Sequence, residues 1–340
     1  MKRMKKTVSV FLTVLIGLLT LQTGMAVFSA DSFFDYGDYR FAVNDDDTLS
    51  VAGYYGTQTS LSLPERVEAR AVTGIHSRCF QNSAVESVVI PEGYTKVDAF
   101  AFNGCASLRR VKLPSTLKTI GMLAFYQCTA LQDPDLSATA LESVGMFAFS
   151  GCSSLTNIAL PDSVSKLGNS AFSSCGRLER LSLPAGLTAI GAYAFANDPA
   201  LAFVDLPLSL QTIGEGAFEN DTALDGVFIP ESVTGIGADA FAPMQESIDF
   251  AVFCFSNTAA ESYFTENATV NLTHHERIIG DVNFDGKLDI ADATFIQMDL
   301  AGYDVIRTSV IREMADVNGD GSVNITDVTA IQRILAELPV

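Results

Sequence analysis

The sequence has no Trp and only three His in 340 residues, and just 18% of its residues are charged. Lack of Trp disfavours a sugar-binding cleft built on indole stacking. With only His76, His274 and His275 present, no Ser/His/Asp or Cys/His arrangement can be placed. Positive charge is scarce too, with 21 Lys and Arg against 40 Asp and Glu and a net charge of −19. Such a chain repels a phosphate backbone, which excludes nucleic acid as a partner. Beyond residue 30 no segment approaches the ~20 consecutive apolar residues of a membrane span. Apolar residues, by contrast, are abundant at 48%. That is enough to bury a core and excludes disorder from low hydrophobicity, and the length allows one to three domains.

The start of the chain is a separate matter. Lys2, Arg3, Lys5 and Lys6 precede the apolar run Val8 to Leu21, and Gly24-Met25-Ala26 follows. This pattern predicts a signal peptide over 1–26, with Ala30 as the alternative end. Its removal takes away four positive charges, so the mature chain has 17 − 40 = −23 and is expected to be secreted. Six Cys in a secreted chain invite a disulfide reading, but their spacing follows a repeat instead.

A Phe, nearly always preceded by Ala, recurs at Phe80, Phe102, Phe125, Phe149, Phe172, Phe195, Phe218 and Phe241, in steps of 22 to 24 residues. In phase with it runs a second series: Leu63-Pro64, Ile90-Pro91, Leu113-Pro114, Leu136-Ser137, Leu160-Pro161, Leu183-Pro184, Leu206-Pro207 and Ile229-Pro230. One unit reads SLRRVKLPSTLKTIGMLAFYQC. Alternation turns Val111 and Leu113 inward and Arg110 and Lys112 outward on a short strand. Pro at the strand end stops the ladder without removing a needed donor. The IG-x-x-AF piece returns the chain across the other side, with Phe filling the space between coils. No unit can bury its face alone, so stacking makes the core.

These units resemble the BspA-type leucine-rich repeats of bacterial surface and secreted proteins, over roughly residues 40–273. The resemblance implies a solenoid with short parallel β-strands on its concave side and an irregular convex side. About eight 23-residue repeats would fill 61–250. An N-terminal hairpin over 31–60 turns at Asn44-Asp45-Asp46-Asp47, and a short helix and last strand over 251–273 close the other end. Outward positions of the concave face are Ser87/Val89, Arg110/Lys112, Asp133/Asp135, Asn157/Ala159, Arg180/Ser182, Phe203/Asp205 and Gly226/Phe228. Phe203 and Phe228 read either as a partner-binding patch or as residues covered by the closing element. Cys105, Cys128, Cys152 and Cys175 share one repeat position, three residues after each Phe, and Asp198 and Asp221 hold it in the next two units. The expectation is reduced, buried thiols at a tight corner facing backbone amides. Cys79 and Cys254 have no obvious partner.

A different duplication begins after a join at 274–279. Asp281, Asn283, Asp285, Lys287, Asp289 and Asp292 recur 35 residues later as Asp316, Asn318, Asp320, Ser322, Asn324 and Asp327. Both stretches fit the EF-hand loop, in which positions one, three and five point oxygens into one pocket, seven gives a carbonyl and twelve closes the site. Gly286 and Gly321 permit the sharp turn at position six. Two Ca2+ ions are therefore expected, with folding dependent on them. Neither loop reads as having a helix in front. A helix follows each, with Ala293, Ile296 and Leu300 on one face of the first, and Val328, Ile331, Leu335 and Leu338 on one face of the second.

Two loop–helix halves with Asp in the last position resemble a type I dockerin, an all-α paired EF-hand-like module, over 280–340. The resemblance implies docking onto a cohesin module of a scaffoldin, as in cellulosomes that degrade polysaccharides. It places the contacts at Ile290, Ala291, Gln297 and Met298 in the first half, and at Ile325, Thr326, Gln332 and Arg333 in the second. Because the halves are alike, two docking orientations related by a half-turn are a hypothesis. The expected function is a secreted, non-catalytic binding protein whose solenoid contacts a protein or cell-surface ligand. The alternatives are a polysaccharide-acting hydrolase and a free adhesin with a purely structural calcium module. Regular units leave no insertion for an active-site loop, and no carboxylate pair stands out for glycoside hydrolysis.

Overall fold

The structure is a computed structural model that describes residues 33–243, 250–267 and 271–338. The expected signal peptide lies outside these residues. The chain enters as three antiparallel strands, Phe33–Tyr36, Tyr39–Val43 and Leu49–Tyr54. The turn sits at Asn44–Asp47, where the Asp47 amide donates to the Asn44 carbonyl at 3.0 Å and Asp46 accepts from Thr48. The strand Phe33–Tyr36 is an addition to the expected hairpin. The strand Leu49–Tyr54 then pairs parallel with Arg70–Ile75 and so covers the first coil.

The alternating runs form the first parallel ladder. Ser60–Ser62, Ser87–Val89 and Arg110–Lys112 pair in register, as do Asn157–Ala159 and Arg180–Ser182. Val88, Val111 and Ile158 point into the core, while Arg110 and Lys112 are exposed. The ladder is interrupted at 133–135, where Pro134 supplies no N–H in mid-strand. It is interrupted again at 203–205. The return side is more regular than expected. Lys96–Val97, Thr119–Ile120 and Ser143–Val144 form a second parallel ladder of two-residue strands, resumed by Ala189–Ile190, Thr212–Ile213 and Gly235–Ile236. Each Thr-Ile or equivalent pair offers one outward residue and one inward, enough for a bridge to the next coil.

Two columns of identical residues hold the coils together. The eight Phe side chains are at most 2% exposed. Consecutive rings from Phe80 to Phe241 stack with centroids 5.0 to 5.7 Å apart. Burying each ring contributes about 1.5–3 kcal/mol, and an aromatic pair adds about 0.5–1.5 kcal/mol. The second column is Gly, and it marks where coils touch by backbone. A Cβ on Gly145 would lie 2.6 Å from the Gly121 carbonyl carbon, and one on Gly168 would lie 2.7 Å from that of Gly145. No side chain fits there, which explains why the Gly recurs with the Phe.

The end of the solenoid is the strand Gly226–Phe228 paired with Ala251–Phe255, which pairs in turn with Asn271–His275. Helix α1, Ala259–Asn267, lies between the last two. The next segment carries α2 (Ile290–Met298), a π turn (Asp299–Tyr303), α3 (Ser309–Ala315) and α4 (Ile325–Leu335). Helix α3 stands directly in front of the second loop, so the expectation that neither loop is preceded by a helix fails there. Its start is fixed by Thr308, whose side chain accepts from the Ile311 amide. The helix faces also differ in part from expectation. Ala293, Ile296, Val328 and Ile331 are buried, but Leu300, Leu335 and Leu338 are exposed. Leu300 lies beyond the end of α2, where the π turn around Gly302 redirects the chain.

Candidate functional site: paired acidic loops seated on the end of a solenoid

In the first loop the Asp281 carboxylate accepts from the amides of Asp285 (3.2 Å) and Gly286 (3.0 Å). The second loop repeats this, Asp316 accepting from Asp320 (3.0 Å) and Gly321 (2.8 Å). Gly286 and Gly321 have φ +82 and +85, the left-handed turn that position six requires. At position twelve, Asp292 accepts from Val282 and Asp289, and Asp327 accepts from Asn318 and Asn324. These two Asp also complete the capping boxes of α2 and α4, with Asp289 and Asn324 as the N-caps. One residue therefore closes each loop and starts each helix, which accounts for the fixed loop-to-helix spacing.

The donors at these positions suit a hard cation: carboxylate, amide oxygen and carbonyl, with no nitrogen or sulfur. Among the described residues, no three Asp, Glu, His or Cys side chains converge closely enough to hold an ion unaided. Asn283 and Asn318 add side-chain oxygens to the same loops, where they accept from the amides of Asp285 and Asp320. Asp281 is 1% exposed and Asp292 and Asp327 are fully buried. Burial pushes the Asp281 carboxyl above its ordinary range, with the charges of Asp292 and Asp285 acting the same way and the loop amides opposing. Buried carboxylates such as these are what a divalent cation would neutralise.

On the outer surface of this segment, Ile290, Ala291, Gln297, Met298, Ile325, Thr326, Gln332 and Arg333 are all exposed. Ile290 and Ile325 stand at 60% and 59% exposure, at equivalent places after the two loops. Leu300, Tyr303, Leu335 and Leu338 are exposed apolar residues of the same segment that the sequence reading placed elsewhere or passed over.

The solenoid contributes directly to this segment, which the sequence did not reveal. The Asp205 carboxylate accepts from both the amide and the hydroxyl of Ser309, each at 2.8 Å, at the start of α3. Burial raises the Asp205 carboxyl, opposed by those two bonds and by the charge of Arg312. Arg277 bridges Glu231 of the last coil to Glu313 of α3, the latter at 2.8 Å, with its guanidinium over the Phe255 ring. Phe228 and Phe255 share one core with Val282, Ile306, Val310 and Met314. Phe228 is therefore not part of an exposed patch. It lies under Phe253, Phe255 and Phe284, while Phe203 remains 45% exposed.

The corner position of the repeats also departs from expectation. All six thiols are free, and five of them are buried. The thiols of Cys105, Cys128, Cys152 and Cys175 donate to backbone carbonyls of Phe80, Phe102, Phe125 and Phe149, at 2.8 to 3.3 Å, rather than facing amides. The Asp residues do the reverse. Asp198 accepts from the Cys175 amide (2.5 Å), and Asp221 accepts from the Asp198 amide (2.8 Å). Each keeps one carboxyl oxygen buried without a partner. Burial, and then Asp221, push the Asp198 carboxyl up to about 9, and burial pushes Asp221 up to about 8.

Comparison with known proteins agrees with both parts. The description "BspA type Leucine rich repeat region" matches residues 73–141 and 137–248, together more than half of the chain, and "Dockerin type I domain" matches 279–336. A leucine-rich-repeat protein of T. pallidum is similar at 25% identity and a TM-score of 0.51, covering 57% of this chain and 91% of its own. One from Bacteroides ovatus is similar in fold at 21% identity and a TM-score of 0.53, covering 72% of this chain and 79% of its own. No curated protein matches. The chain belongs to the BspA-type leucine-rich-repeat family, and a type I dockerin domain follows its repeats.

Proposed function

We propose that this is a secreted, non-catalytic repeat protein that attaches through its dockerin to a cohesin of a scaffoldin, in a polysaccharide-degrading complex of the cellulosome kind. The observation that supports this most is the matched exposure of two equivalent surfaces, Ile290-Ala291 and Ile325-Thr326, each directly after an acidic loop. Asp281, Asn283, Asp285, Lys287, Asp289 and Asp292 would hold one Ca2+, and Asp316, Asn318, Asp320, Ser322, Asn324 and Asp327 a second. The bound ions would supply charge neutralisation and cross-linking to a module whose own apolar core is small. The protein residues then present α2 and α4 with their outer faces ready for a partner. Isoleucine at loop position ten in both halves makes this contact more apolar than a hydroxyl would. The solenoid carries the ligand-binding role, with Phe203 as its exposed aromatic on the concave side.

The test is capture of the mature chain by a panel of immobilised cohesins, with calcium and with EDTA. Capture that EDTA abolishes is the expected result. Calcium binding with no capture by any cohesin would overturn the scaffold attachment in favour of a free adhesin. Sugar release from plant polysaccharides by the purified chain would overturn the non-catalytic reading.

A further inference from the structure

The two acidic loops carry nearly the same ligands at the same spacing, yet they differ at the fourth position. There the second loop has Gly319 at φ +69, and the first has Phe284 at φ +56. This left-handed backbone suits Gly and is costly for a bulky residue. The Phe284 ring is also the one that reaches the solenoid, 5.1 Å from the ring of Phe228. An unfavourable backbone choice is thus tied to one interdomain contact, between the ligand positions Asn283 and Asp285. The surroundings are unequal in the same sense: Asp281 is 1% exposed, whereas its counterpart Asp316 is only half-buried. Asp205 on Ser309 and Arg277 between Glu231 and Glu313 add polar contacts at α3, the helix that leads into the second loop.

We infer that the first metal loop is also the seat by which the solenoid's last coils hold this chain's own dockerin, so that filling that loop and closing the interdomain contact are one linked equilibrium. The second loop faces the solenoid across an open cavity instead, with Asp316, Gly321 and Ser322 opposite Pro207 and Leu208. This rests on the calcium reading above but not on any cohesin. Linkage is reciprocal: whatever factor the closed contact adds to calcium affinity at the first loop, calcium adds to closure. The eight residues proposed to face a cohesin stay exposed in the closed arrangement. Holding the dockerin therefore fixes its direction without hiding that surface.

The test uses the full mature chain, stripped of metal and titrated with CaCl2 by calorimetry, with small-angle scattering in calcium and in EDTA. Two variants probe the contact from its two sides. Phe228→Ala alters no residue of either loop, and Phe284→Gly gives the first loop the residue with which the second already folds. The expected result is two unequal calcium sites, with one weakened at least about fivefold by either variant while the other is unchanged. The longest dimension should grow in EDTA, and in both variants at limiting calcium. Val89→Ala, at an exposed strand position near the other end of the solenoid, should change neither readout. Calcium sites that ignore both variants, with unchanged dimensions, overturn this inference alone. A chain that binds no calcium overturns it together with the calcium reading.

Discussion

Both parts of this molecule are made by duplication, and they use it differently. In the solenoid each copy completes the core of its neighbour through stacked Phe, Leu, Val and Ile and a column of Gly, and its two fully buried carboxyls, Asp198 and Asp221, are pushed toward the protonated form. In the dockerin there are only two copies, and their apolar residues are supplemented by Phe228 and Phe255 of the solenoid. Its buried polar residues are the carboxylates Asp281, Asp292 and Asp327, which accept loop and cap amides and which the proposed cations would neutralise. Repetition along an axis stabilises by contact, whereas this paired repetition borrows core residues from a neighbour and, as proposed, takes up ions.

The sharpest way to break that contrast is chelation. EDTA should abolish amide-exchange protection in α2 and α4 while the stacked Phe units keep theirs; loss of protection in both parts would show that the ion stabilises the whole chain. Next in size, Phe149→Ala opens a hole in the middle of the stack and should cost about 3–5 kcal/mol in urea unfolding, with calcium affinity unaltered. A third test uses pH, to which the two parts should respond with opposite sign. Folded Asp198 and Asp221 keep protons to about 9 and about 8, whereas the unfolded chain releases them near 3.8. Their stabilising effect is therefore complete below about pH 4 and is lost as pH rises toward 8–9, on the order of 1–3 kcal/mol for an unsatisfied buried group. Asp198→Cys, restoring the residue of the preceding four units, should flatten that slope in denaturant midpoints measured at pH 5 and pH 9. Calcium affinity of the dockerin should fall instead on acidification, because its ligands must be deprotonated. The smallest expected change is Gly168→Ala, which sets a methyl against neighbouring backbone at 2.7 Å and should cost about 1–3 kcal/mol in the same unfolding assay.

The repeat was legible in sequence because its contacts join identical positions: Phe102 meets Phe125, and Val88 meets Val111. A period therefore reports the packing directly. The acidic loops were legible for another reason, since all six positions lie within twelve residues and need no distant partner. What escaped was short or aperiodic. Helix α3 has seven residues, too few for a periodic pattern, and only Thr308 marked its start. The two-residue strands of the second ladder are shorter than any alternation test. The contact between Asp205 and Ser309 spans 104 residues and joins two different periods, so neither pattern contains it. The burial of Phe228 under Phe284 likewise joins the two periods and so belongs to neither pattern. Pro134 did carry a signal, a missing donor in mid-strand, at one of the two places where the first ladder is interrupted.

The pair of bonds between Asp205 and Ser309 has a mechanical consequence. A dockerin hung only on the connection after His275 would pass any pull on it into the last strand, and the solenoid would peel open from its end. Here part of the load enters one coil earlier, at Asp205, and another part enters through Arg277 at Glu231. The closing strand and α1 then carry a smaller share of any pull, because the rest passes to the coils directly. The attachment behaves as a bracket, and not as a tether.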